Sequence, residues 1–192
     1  MKKKIIIIIA VVLAAVVVIG GALASGYNGL VTSRETVNSA ASDVDTALQR
    51  RADLIPNVVS TVKSFAKHET EVFDKVLEAR MTLLNASTPE EQATANEELS
   101  SALQGINVIV ENYPELKSDQ TYIGLMDELE GSENRIAVAR KDYNDAVNNY
   151  NSKVIKFPAN IVAKLFGFEK AEYFEADADA YEVPDVGAAL GD

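Results

Sequence analysis

The chain has 192 residues, a formal net charge of −11, 47% apolar residues, one histidine, no cysteine and no tryptophan. That length and apolar content suit one domain with an appendage. The missing cysteines exclude disulfides, thiolate metal sites, a cysteine nucleophile and a lipidated cysteine, and the negative charge with no basic stripe argues against nucleic acid as a partner.

The N-terminus reads MKKKIIIIIAVVLAAVVVIGGALASG. Ile5–Ala24 carries no charge, and twenty helical residues reach about 30 Å, the thickness of the hydrocarbon layer. Residues 1–24 are therefore expected to be a transmembrane anchor. The competing reading is a signal peptide, because Ala22-Leu23-Ala24 before Ser25 fits a small-x-small cleavage site. Lys2, Lys3 and Lys4 place the N-terminus in the cytoplasm by the positive-inside rule. The remainder then lies outside, although Arg34, Arg50 and Arg51 on the far side weaken that signal.

From Leu30 the apolar spacing is helical. Leu30, Val37, Ala41, Val44, Leu48, Ile55, Val58, Val62 and Phe65 fall on one frame of threes and fours, with Arg34 and Arg51 on the same frame. Val72, Val76 and Leu83 continue it. Within this run, Arg50-Arg51 suits a helix C-terminus, Asp53 an N-cap, and Pro56 a first turn. A corner near Arg51–Pro56 is the expectation.

Next, STPEEQ predicts a helix start: Thr88 as N-cap, Pro89 at the first position, and Glu91 closing a capping box. That helix carries Leu99, Leu103, Ile106, Ile109 and Val110, and ends before Tyr113-Pro114. Ser118-Asp119 caps the next one, with its stripe of Tyr122, Leu125, Leu129, Ile136, Tyr143, Val147, Tyr150 and Val154. No run of period two is long enough for a strand. The expected fold is all-α: a transmembrane helix, then an antiparallel up-down four-helix bundle over residues 25–168. Gly105, Gly124 and Gly131 are candidates for close helix approach.

The pattern Tyr-Asn-x-x-Val occurs at 27–31, 143–147 and 150–154. The last two lie seven residues apart on one helix face. Tyr27, Tyr143 and Tyr150 could meet at the base of the bundle, as a ligand site or as tyrosines whose hydroxyls bond nearby groups. The stretch FPANIVAKLFGF, 157–168, reads as a short amphipathic helix, either at the membrane interface or capping the core. The tail, 169–192, has eight acidic residues and one lysine, and is expected to lack packed structure.

Catalytic signatures are missing: there is no phosphate-cradling glycine loop, HExxH, GxSxG or Cys–His pair. Carboxylate pairs such as Glu97/Glu98 and Asp127/Glu128 read as solvated faces, and His68 as a surface or packing residue. No catalytic, cofactor-binding or metal-binding residues are assigned, and no cofactor is expected.

Four segments together carry a family resemblance: YNGLV at 27–31, RRADLIPNVVSTVKSFAKHE at 50–69, ENYPELKSD at 111–119 and SENRIAVARKDYNDAVNNYN at 132–151. The sequence resembles the LemA family of bacterial membrane proteins, from the apolar segment to about Phe174. The resemblance implies a single N-terminal anchor, a helical bundle and no established enzymatic activity. A relative in magnetosome membranes suggests membrane organisation. Gly26 stands where lipoprotein-like relatives have cysteine, so lipid anchoring does not carry over. Arg50, Arg51, Asp53, Asn57, Glu111, Asn112 and Tyr113 are expected to meet in one distal polar cluster. The expected role is binding or scaffolding at the envelope, with the lipid bilayer as partner, a protein partner unidentified and a homo-oligomer open. The alternatives are a membrane-anchored ligand sensor and an unrecognised hydrolase.

Overall fold

The computed structural model describes residues 2–175, with side chains from residue 4 onward. Helix α1 runs from Lys2 to Phe65 without a break. At 1.5 Å per residue, its 64 residues make a rod about 96 Å long. The chain turns through Ala66–Glu69. Helix α2, Thr70–Asn85, returns along α1, and α3, Pro89–Asn112, runs parallel to α1. The direction of α3 follows from its contacts with α1: Gln92 bonds Asp45, and Ser100 bonds Arg51. After the single turn α4, Pro114–Lys117, the 36-residue α5, Gln120–Ile155, descends along α1 in the most extensive helix contact of the fold. Helix α6, Ala159–Phe166, closes the base. No strand occurs among the described residues.

The up-down-up-down topology agrees with the expectation, but the first corner does not. It lies at Ala66–Glu69, and Pro56 sits inside α1. An interior proline removes the N–H that would bond the carbonyl four residues back, here Ala52. Arg80 of α2 supplies the missing donor: its Nε–H bonds the Ala52 carbonyl at 2.8 Å. The orphaned acceptor thereby becomes a tie between α1 and α2. Asp53 caps nothing; it accepts from Gln49 one turn back.

The apolar frame of α1 is the core. Leu30, Val44, Leu48, Ile55, Val58 and Val62 are buried, facing Val76, Leu99, Ile106, Ile136 and Val147. Residues 4–22 of the same helix are exposed on every side. The predicted caps hold. Thr88 Oγ1 accepts from Glu91 N–H and the Glu91 carboxylate accepts from Thr88 N–H; Asp119 accepts from Tyr122 N–H.

Of the three glycines, only Gly105 marks a close approach: a Cβ there would lie 2.9 Å from Val72 Cγ1. Gly124 faces open space, and Gly131 meets only Arg135 of its own helix.

Candidate functional site

Three constructions in the fold hold chemistry that sequence pattern alone does not display. The first is a buried charge at mid-bundle. Arg51 is 5% exposed. Its guanidinium pairs with Glu133 of α5 at 2.6 Å, bonds the Asn96 amide oxygen, and donates to Ser100 Oγ at 3.0 Å. Asn96 also donates to Glu133 at 3.3 Å. Burial pushes the Arg51 pKa down from its usual value, while the Glu133 carboxylate opposes that shift. The group links α1, α3 and α5 at one level.

This arrangement dissolves the expected distal cluster. Ser100 lies twelve residues before Asn112 on α3, about 18 Å along the axis. Asn112 bonds Val108 of its own helix, Tyr113 forms the α3–α4 junction, and Arg50 and Asn57 face solvent. His68 is exposed in the true corner. Among the described residues no group of acidic or histidine side chains is placed to hold a metal. Glu97, Glu98, Asp127 and Glu128 lie on exposed faces.

The second construction is a strap. Gly167 takes the left-handed conformation, φ 71°, and Phe168 N–H bonds the Ala163 carbonyl. This closure ends α6 and sends the chain back up along α5. The two Tyr-Asn pairs then grip its backbone in the same way twice. Tyr150 donates to the Glu169 carbonyl, and Asn151 bonds both the N–H and the carbonyl of Ala171. Tyr143 donates to the Glu172 carbonyl, and Asn144 bonds both the N–H and the carbonyl of Phe174. The register is commensurate. Seven helical residues rise about 10.5 Å, and three residues of extended chain about 10 Å. Phe174 is buried, edge-on to Tyr143, with the Arg140 guanidinium 5.3 Å from its ring centre.

The tail expectation therefore needs correction for residues 169–175, which pack against α5 because α5 satisfies their backbone groups. The rest of the tail, 176–192, lies outside the described residues. Burial raises the pKa of both tyrosines, Tyr143 and Tyr150, so each hydroxyl stays a proton donor. The seven-residue Tyr-Asn repeat was the visible signal, but its partner was backbone and so left no side-chain pattern.

The third construction is the base. Tyr27 does not join the other tyrosines. Its ring stands edge-on to Phe166 and Phe168, with centroids 4.9 and 5.7 Å away. Beside it Gly26 receives α6: a Cβ there would lie 3.0 Å from Val162 Cγ2. A cleft of about 390 Å³ adjoins Tyr143, Tyr150, Arg34 and Asn38, without Tyr27. Clefts of 380 and 390 Å³ and a larger one of about 700 Å³ between α2 and α3 occur elsewhere on the bundle, so volume does not single out the cleft beside the tyrosines as a ligand site.

One helix among the described residues, α1, is long and apolar enough to cross a membrane. A family model described as LemA family matches residues 40–187. The match extends past Phe174 into the acidic tail, further than the resemblance indicated, and it begins downstream of the apolar segment. Magnetosome proteins MamQ 1 and MamQ 2 of Paramagnetospirillum magneticum are each 30% identical over 175 residues, covering 78% of this chain and 64% of theirs. Protein LemA of Metamycoplasma hominis is 26% identical over 153 residues, covering 78% of this chain and 68% of its own. The chain thus spans under two thirds of the magnetosome relatives' length.

Proposed function

The chain belongs to the LemA family, and from that premise we propose that it is a membrane-anchored bundle of the bacterial envelope that acts by binding or scaffolding, not by catalysis. The observation that carries this reading is the continuity of α1. The helix is apolar on all sides from Ile5 to Ala22 and then becomes the central strut of the bundle. A helix apolar all round has hydrocarbon as its natural surroundings. We divide the chain into an anchor, 1–24, a bundle, 25–168, and an acidic tail, 169–192, whose first residues form the strap.

Lys2–Lys4 favour a cytoplasmic N-terminus and a bundle on the opposite side. The magnetosome relatives support work at a membrane. Binding surfaces of such a bundle lie on its exposed helix faces and at the distal turn, Ala66–Glu69.

The test uses the absence of native cysteine. Lys67→Cys and Ser87→Cys variants, labelled on intact cells with a membrane-impermeant maleimide, are expected to react before lysis. Intact mass is expected to retain residues 1–24. Reaction only after lysis would overturn the orientation. A mass beginning at Ser25 would overturn the anchor.

A further inference from the structure

The base of the bundle carries an apolar surface that the fold leaves bare. Helix α6 turns Val162 and Ala163 inward. On its outer side Ile161 is 54% and Leu165 65% exposed, and Phe157, just before it, is 79% exposed. Ile155, at the end of α5, adds to the same base. A cluster of large exposed apolar residues on one short segment marks a contact surface.

Its position identifies what covers it. Val162 packs on Gly26, two residues beyond Ala24, where the apolar run ends. At 1.5 Å per residue α6 meets α1 about 3 Å past the edge of the hydrocarbon layer. Tyr27, edge-on to Phe166 and Phe168, lies at the same level, where aromatic rings favour the membrane interface. Charge agrees. Residues 152–168 contain Lys153, Lys156 and Lys164 and no acidic residue, in a chain whose net charge is −11. Such a basic island complements anionic headgroups.

We propose that α6 is an interfacial foot. Phe157, Ile161 and Leu165 insert into the bundle-side leaflet of the membrane that α1 crosses, and Lys156 and Lys164 meet its anionic headgroups. This rests on the reading of α1 as an anchor. A foot beside the anchor gives the bundle two points of attachment. That restricts tilting of the bundle against the membrane plane and holds the distal turn, Ala66–Glu69, away from the membrane.

The chain has no tryptophan, so one introduced indole reports depth without background. Leu165→Trp, Val12→Trp and Val108→Trp variants of the full chain would be reconstituted in vesicles of phosphatidylcholine with 30% phosphatidylglycerol, with and without brominated acyl chains. Each position is exposed, so folding is preserved. The proposal expects at least twofold quenching at 165 and at 12, and none at 108. Quenching at 12 alone overturns the foot and leaves the anchor standing. Quenching at neither position overturns both. Blue-shifted but unquenched emission at 165 means that protein, such as a second copy, covers α6, and overturns the foot. Vesicles of phosphatidylcholine alone are expected to weaken quenching at 165 and leave that at 12 unchanged; equal quenching at 165 in both lipids overturns the headgroup contact.

Discussion

The two halves of α1 share a backbone and differ in surroundings. Residues 4–22 expose isoleucine and valine on every side, whereas from Leu30 to Val62 apolar residues recur on one stripe that is buried to the last few per cent. The difference shows that hydrophobicity alone does not define a core. Its angular distribution does: an all-round apolar helix seeks lipid, and a striped one seeks neighbouring helices. Polar groups follow the same division. From Ile5 to Leu23 the anchor half has none to satisfy beyond its own backbone. The bundle half carries Arg51 and the orphaned Ala52 carbonyl, and each is matched by a group from another helix.

The most direct way to break this comparison is one substitution made in both halves. Ile55→Ala, at a fully buried site, is expected to destabilise the bundle by about 3 kcal/mol through lost burial and a cavity. Ile8→Ala, 61% exposed, is expected to change bundle unfolding by less than about 0.5 kcal/mol. Thermal or denaturant unfolding in detergent measures both. Equal effects would contradict the division of α1.

Next in size is the buried charge. Glu133→Ala leaves the Arg51 guanidinium buried without its anion and, because solvent reaches the half-exposed Glu133, is expected to cost about 2 kcal/mol, while Arg51→Met, a change to an apolar side chain of similar length, is expected to cost less. Chemical denaturation of the two variants checks the asymmetry. The opposite order would mean that Asn96, Ser100 and solvent satisfy the Arg51 charge without Glu133.

A smaller effect sharpens the role of Pro56. Arg80→Ala removes the donor that satisfies the Ala52 carbonyl and is expected to cost about 1–2 kcal/mol. In a Pro56→Ala background, an N–H at position 56 replaces that donor, and the Arg80→Ala loss is expected to fall below about 0.5 kcal/mol. A double-mutant cycle measures this coupling; additivity would contradict it.

The smallest expected effects lie in the strap. Asn151→Ala removes two backbone bonds and is expected to speed hydrogen exchange at Ala171 about tenfold, with little change in global unfolding. The strap is also alkali-sensitive. Burial raises the Tyr143 and Tyr150 pKa values above the ordinary 10.0. Their contribution is therefore complete below about pH 10 and is lost as pH rises through the raised folded-state values. A Tyr143→Phe, Tyr150→Phe variant is expected to show a shallower alkaline loss.

Much of this architecture is legible in the sequence because periodicity and capping are local. The stripe of α1, the Thr88–Glu91 box, the Asp119 cap and the stop at Tyr113-Pro114 each depend on residues within a few positions. The corner at Ala66–Glu69 is not legible in the same way. No side chain caps α2 there, while Arg50-Arg51, Asp53 and Pro56 imitate an end fourteen residues early. What overrides them is Arg80, 28 residues away. The strap escapes for a related reason: Tyr-Asn pairs that bind backbone place no requirement on the side chains they hold. The Tyr-Asn repeat was visible, but its partner at 169–174 was hidden among the acidic residues of the tail.

The central claim is that α1 is one unbroken helix carrying the bundle on its anchor. Spin labels at Glu35→Cys and Lys63→Cys, both exposed sites in a chain with no other cysteine, bracket Pro56. Pulsed dipolar spectroscopy on the reconstituted full chain is predicted to give about 42 Å, the rise of 28 helical residues. A distance near or below about 20 Å would mean that the chain folds back at Arg51–Pro56, and would contradict the account.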